Sequence, residues 1–204
     1  MSKYISLSFD DGRIDTYYTA IPIMQKYGLT ATINIVSDFV LHPESYDKFG
    51  SAGNLAMSID NVISAQKMGF EIACHGHKHA NTIEDINENI SQLKIWGVDT
   101  QNIGFASPFS YITKDNVNEI IDMINNGELS YIRSGIQVRR EGILYKAGYV
   151  LQSIIHSKRL FYLLNKPLLG KYDRHCNLFC GISISKSTTI AQLEYLINRI
   201  PEGS

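Results

Sequence analysis

Cysteine is scarce in this chain: Cys74, Cys176 and Cys180 are the three among 204 residues. So few make no disulfide framework, and the fold must rest on a hydrophobic core. Charge of one sign is also lacking, with 19 basic residues against 20 acidic and a net charge of −1. Nucleic-acid binding usually demands a basic stripe, so nucleic acid is not expected as a partner. The same balance offers no electrostatic route to a membrane surface. No apolar run approaches the ~20 residues that span a bilayer, so no membrane span is expected. Met1-Ser2-Lys3 leads directly into a strand-like segment with no signal-peptide apolar stretch, which makes a cytoplasmic location the expectation. Linkers, low-complexity tracts and internal repeats are absent too, and a single domain over residues 1–204 is expected.

What the chain does have is 44% hydrophobic residues, enough for a full core, arranged as alternating strand-like and helix-like segments. Tyr4 to Phe9 alternates and is rich in β-formers, and 31–36, 70–73, 102–106, 131–133 and 178–184 read as further strands. Helical spacing is found over 15–27, 58–68, 83–96, 114–124, 153–164 and 189–200, while 42–57 reads as a long loop. Ile86, Ile90, Leu93 and Ile95 fall on or near one helix face, with Trp96 at the end of that stripe. Repeated β-then-α order implies parallel strands joined by crossover helices. In such folds the loops after the strand ends build the site.

Polar residues concentrate at those ends. Asp10 and Asp11 follow the first strand, His75 to His79 the third, and Ser107 to Phe109 the fourth. Neighbouring side chains leaving a strand point in different directions, so one aspartate can hold a metal while the other accepts a proton. Asp-Asp-Gly alone is also ordinary turn chemistry. His75-Gly76-His77-Lys78-His79 packs three of six histidines into five residues. A helical turn there would put His75 and His79 on one face, whereas an extended segment would point all three to one side. Two imidazoles and a carboxylate suit zinc or a similar divalent ion, and three protein ligands leave a position for water.

Ser8-Phe9-Asp10-Asp11-Gly12 and Gly69-Phe70-Glu71-Ile72-Ala73-Cys74-His75-Gly76-His77-Lys78-His79 resemble the first two motifs of the polysaccharide deacetylases, the NodB homology domain of carbohydrate esterase family four. Gly76 stands where that family usually has a hydroxyl residue, and the outer histidines are four apart, not five. Ala106-Ser107-Pro108-Phe109 is similar to the third motif but lacks its arginine, for which Arg133 is the candidate substitute in orienting Asp10. Leu178-Phe179-Cys180 aligns with the last motif, with Cys180 in the place of the acid histidine; His175 and His156 are the other histidines in that part of the chain.

The resemblance implies an α/β fold, a distorted (β/α) barrel of about seven parallel strands. It implies Asp11, His75 and His79 as ligands of a divalent metal, zinc first, with cobalt, manganese or nickel as alternatives. Metal-bound water would be the nucleophile, Asp10 the base, and a backbone N–H near Phe109 an oxyanion donor. Pro108, Phe109 and Tyr111 are the substrate-facing candidates, and Tyr131 is a further groove candidate. The implied reaction removes N-acetyl or O-acetyl groups from a carbohydrate, or hydrolyses another small acetylated amide. Two other readings stand beside it: a metallohydrolase using the His75/His77 pair, and a protein that binds metal and glycan without turnover, which Ala106 and Cys180 favour. Oligomeric state is not readable from the residues.

Overall fold

The computed structural model describes residues 4–47, 55–112, 114–134, 143–169, 172–173, 177–185 and 187–200. The chain packs as two compact units, Ser6–Ile132 and a smaller one built from 1–5 with 133–204.

The larger unit alternates strand and helix. β1 (Ser8–Phe9) is followed by a π-type turn (Thr16–Ala20) that runs into α1 (Ile21–Lys26), then β2 (Thr32–Ile35). Next come α2 (Ser37–Leu41), α3 (Pro43–Asp47), α4 (Ile59–Lys67), β3 (Glu71–Cys74) and α5 (Ile83–Ile95). β4 (Gly104–Ala106), a 3-10 turn (Pro108–Ser110), α6 (Lys114–Asn125) and β5 (Tyr131–Ser134) complete the series, with the unit boundary falling inside β5. The strand order is β1-β2-β3-β4-β5. β1 with β2, β2 with β3 and β3 with β4 are parallel, in the registers Ser8↔Thr32, Ile35↔Cys74 and Cys74↔Phe105. Parallel strands covered by helices are buried on both faces, and Ile33, Ile35, Ala73, Cys74, Phe105 and Ala106 are fully buried. Because the strands run the same way, Asp10, His75 and Ser107 all leave one edge of the sheet.

Several local expectations change. Within 42–57, residues 43–47 are helical, and residues 48–54 lie outside the described residues. Pro43 starts that helix with a preset φ and Glu44 lies in its first turn. Buried Tyr46 anchors it against Phe39, with ring centroids 4.8 Å apart. α5 buries Ile86, Asn89 and Leu93, one stripe at helical spacing. Ile95, two positions on, is 74% exposed rather than part of that face, and Trp96 is only half-buried.

The smaller unit holds α7 (Ile143–Ile155), α8 (Lys158–Asn165), β6 (Tyr172–Asp173), β7 (Leu178–Cys180) and α9 (Ile190–Ile197). The single helix expected over 153–164 is broken. His156 takes φ 47°, and Ser157 caps α8 by accepting from Leu160 N at 3.3 Å. β7 ends at Cys180, short of the expected Ile184. It lies between β5 and β6, and Gly181 N donates to Ser134 O at 3.0 Å. β6 and β7 are antiparallel, which corrects the expectation of parallel strands throughout. Only residues 174–177 join them, too few for the dozen or so that a parallel crossover needs. Arg139, Arg140, Glu141, His175 and Cys176 lie outside the described residues. Among the described residues no helix is long and apolar enough to cross a membrane.

Candidate metal centre

Asp11, His75 and His79 meet at the strand ends. His75 Nε2 and His79 Nε2 are 3.2 Å apart, and each lies 3.5 Å from Asp11 Oδ1. Donors ~2.0–2.2 Å from a tetrahedral ion lie ~3.3–3.6 Å from one another. The three atoms therefore already have the spacing of three corners around a zinc-like ion. Two imidazoles with one carboxylate are also a donor set such an ion accepts, so the residues fit the group that the sequence implied.

Each candidate ligand is aimed by its surroundings. His75 follows β3 directly, its backbone N–H donating to Ile35 O at 3.0 Å. Its ring is 1% exposed, and Nδ1 sits 2.7 Å from the Ala106 carbonyl. A carbonyl only accepts, so Nδ1 carries the proton and Nε2 keeps its lone pair for a metal. His79 is brought back by a loop that is neither helical nor extended, with φ of 78° at Gly76 and 60° at His79. Its ring lies between Phe109 and Phe39, with centroids at 4.5 and 5.9 Å. Burial and the neighbouring His75 push the His79 pKa down to about 4, against the pull of the Asp11 and Asp10 carboxylates. The ring is thus neutral at pH 7 and can donate a lone pair. Asp11 itself takes φ 72°.

Asp10 is held separately. Asn34 Nδ2, from β2, donates to Asp10 Oδ1 at 2.8 Å and to Ser8 Oγ at 2.6 Å. Asn34 is 1% exposed, between the buried Ile33 and Ile35 of that strand. Sequence reasoning missed it; the available signal was one amide in the run Ile33-Asn34-Ile35-Val36. The Ala106 carbonyl was missed as well, since no side-chain pattern announces a backbone acceptor.

Other candidates fall into place one by one. His77 is turned away from the three donors: its Nδ1 lies 2.9 Å from Ser37 Oγ. The carboxylate grouped with His75 and His79 is Asp11, which removes support from the His75/His77 alternative. Pro108 is buried, and Phe109 is 66% exposed with φ 57°. The Tyr111 carbonyl accepts from Asn81 Nδ2 at 2.6 Å. Tyr131 is not at a C-terminal strand end: it opens β5, and its hydroxyl donates to Glu71 Oε1 at 2.8 Å at the start of β3. In the smaller unit Arg133 packs against Gly181, the residue after Cys180, where a Cβ would meet Arg133 Nη1 at 3.4 Å and Cδ at 3.5 Å. His156 Nδ1 there contacts Ser187 O at 3.0 Å.

Fold and residues thus define an α/β protein with a candidate divalent-metal centre at the ends of its parallel strands. The family model "Polysaccharide deacetylase" matches residues 1–123, and the chain belongs to that family. The distorted (β/α) barrel of NodB type expected from the sequence is this family's fold. Similar solved structures include a Streptococcus pyogenes deacetylase, PplD, in complex with acetate (19% identity, 66% of this chain and 57% of that one, TM-score 0.51). IcaB from Ammonifex degensii is similar at 16% identity over 66% of this chain and 60% of that one, TM-score 0.51. A de-N-acetylase from Aggregatibacter actinomycetemcomitans is similar at 16% identity over 67% and 65%, TM-score 0.51. The chain covers less than two thirds of each of these proteins, and at such identities the likeness is one of fold. The comparison with curated proteins gave no match.

Proposed function

We propose that this chain is a metal-dependent hydrolase that removes acetyl groups from a carbohydrate, with Asp11, His75 and His79 holding the ion. The observation that carries the reading is the donor trio at 3.2–3.5 Å, with His75 fixed in its ligand tautomer by the Ala106 carbonyl. Bound there, a zinc-like ion supplies Lewis acidity, bringing the pKa of water from ~15.7 toward ~7 and polarising an acyl oxygen.

The remaining chemistry belongs to the protein. Asp10, oriented by Asn34 and adjacent to a ligand in sequence, is the base that takes the proton from the attacking water. All four non-glycine residues with positive φ described in the larger unit, Asp11, His79, Phe109 and Ser110, lie in the ligand set or the 107–110 turn. Conformations of this kind collect at functional sites. In that turn Ser110 N and Tyr111 N are bonded internally, to Ser107 O and Pro108 O, and Pro108 has no N–H. By motif position, an oxyanion donor would come from a backbone N–H near Phe109, a contribution of ~2.7–4 kcal/mol in other hydrolases. Phe109 and Tyr111, partly exposed, supply apolar surface for a sugar ring. Cys180 as the acid for the leaving amine, and Arg133 as the residue that orients Asp10, are carried by motif position.

Acetate release from chitooligosaccharides, acetylated xylan and peptidoglycan fragments, with added zinc or cobalt, tests the proposal. Release that EDTA abolishes and metal restores supports it. Tight metal binding without release from any of these substrates favours the non-hydrolytic alternative.

A further inference from the structure

The loop carrying His79 is gripped from outside the metal centre by one face of α5. Asp85 Oδ1 accepts from Lys78 N at 2.7 Å and Asp85 Oδ2 from Ala80 N at 2.9 Å, so one carboxylate holds the residues on both sides of His79. Between Gly76 and Lys78, His77 N donates to the Asp85 carbonyl at 3.0 Å. One helical turn further along, Asn89 Nδ2 donates to Gly76 O at 2.8 Å, and to Ile35 O and Ser37 Oγ at 3.0 Å each. Residues four apart share a helix face, so the pair spans the loop from its first residue to its last.

Three details single this arrangement out from ordinary helix capping. α4 and α9 both carry a reciprocal capping box, in which Asn61 and Gln192 reach back to their own N-cap N–H groups. Asp85 occupies the same position in α5, three after the N-cap Thr82, yet its carboxylate goes to the loop. Asn89 is fully buried, and the two carbonyls before its amide nitrogen fix its orientation. Its Oδ1 then has no hydrogen-bond partner among the described residues. A buried unsatisfied acceptor is destabilising, a cost that an apolar residue at this position would avoid. Finally, Gly76 leaves room for the Asp85 carboxylate, which a Cβ there would strike.

We infer that Asp85 and Asn89 are positioning residues that set metal affinity by holding residues 76–80 in the shape that places His79 beside His75 and Asp11. This rests on the metal reading above. His79 sits at a φ of 60°, a region unfavourable for a side-chain-bearing residue. Charge-assisted bonds on either side of it offset that cost before any ion arrives. The third element gripped, Ser37, touches His77, so the clamp also turns the spare histidine away from the donors.

The test uses the metal-free full chain and two variants, Asp85→Asn, which is isosteric, and Asn89→Ser. Zinc affinity is read by calorimetry, the ligand field by the visible absorption of added cobalt, and the loop by amide hydrogen exchange. The expected result is a ~10- to 100-fold loss of zinc affinity, an altered cobalt spectrum, and faster exchange at Lys78 and Ala80 in Asp85→Asn. Wild-type affinity and an unchanged cobalt spectrum in folded Asp85→Asn would overturn the clamp alone. Failure of the wild-type chain to bind zinc or cobalt would overturn the metal reading and the clamp with it.

Discussion

Replacing Gly76 by alanine separates the packing of the ligand loop from ordinary backbone cost. Gly28, Gly69 and Gly76 all have positive φ, at 64°, 89° and 78°. An alanine at any of them meets the left-handed penalty of ~1–2 kcal/mol. At Gly28 and Gly69 a Cβ would find nothing within 4 Å, so the penalty ends there. At Gly76 it would lie on the Asp85 carboxylate, 2.6 Å from Ala80 O and 3.0 Å from Ala80 N. Forcing an atom into a packed site costs a further ~1–3 kcal/mol. Gly76→Ala should therefore lose ~2–5 kcal/mol and the two control variants ~1–2. Urea unfolding in EDTA, followed by the fluorescence of the single Trp96, measures all three. Zinc titration of the folded Gly76→Ala protein should also show weaker binding, since the displaced residues hold His79. Equal destabilisation of all three variants would refute the reasoning.

Asp10→Asn should lower acetate release ~10²–10⁴-fold, the usual contribution of a general base, and leave zinc affinity at the wild-type value; a parallel fall in both would make Asp10 a ligand instead. His79 makes metal-free stability depend on pH: its ring titrates near ~6.5 in the unfolded chain but is pushed down to about 4 in the fold. The unfolded state thus binds this proton first on acidification, so stability is full above ~6.5, declines from there to about 4, and levels off below. Urea midpoints of wild type and His79→Asn between pH 7.5 and 4.5 check this, and identical pH dependence in the two would contradict a neutral buried ring. The Cys74 thiol is fully buried and its pKa is pushed up to about 12 by that burial. Iodoacetamide at pH 8 should therefore label Cys74 only after denaturation, as read by mass spectrometry.

The cluster proposed as the ligand set was legible as a group of residues because its signal is chemical and local. Asp-Asp-Gly after a strand and three histidines in five residues are rare enough together to mark a site, and the structure brings Asp11, His75 and His79 together. The shape of the histidine loop was not legible. Neither a helical turn nor an extended run describes it, because Asp85 and Asn89, five to thirteen residues beyond the groups they hold, dictate its path. Nor was the meaning of Gly76 as a departure from the family motif: its missing Cβ is the space the Asp85 carboxylate uses.

β/α order came through for the same reason that the strand ends did, since apolar runs and helical periodicity report burial directly. Short elements did not. α3 is one turn held by Pro43 and Tyr46, below the length at which periodicity shows. The break between α7 and α8 depends on a single φ at His156. The antiparallel β6-β7 pair escaped notice because Tyr172–Asp173 is only two residues long.

Diffraction data collected at the zinc absorption edge from crystals of the zinc-loaded protein test the central claim most directly. The account predicts one anomalous peak, bounded by Asp11 Oδ1, His75 Nε2 and His79 Nε2, with His77 still on Ser37. A peak that includes His77 in place of Asp11, or no peak at these residues in zinc-loaded crystals, would contradict it.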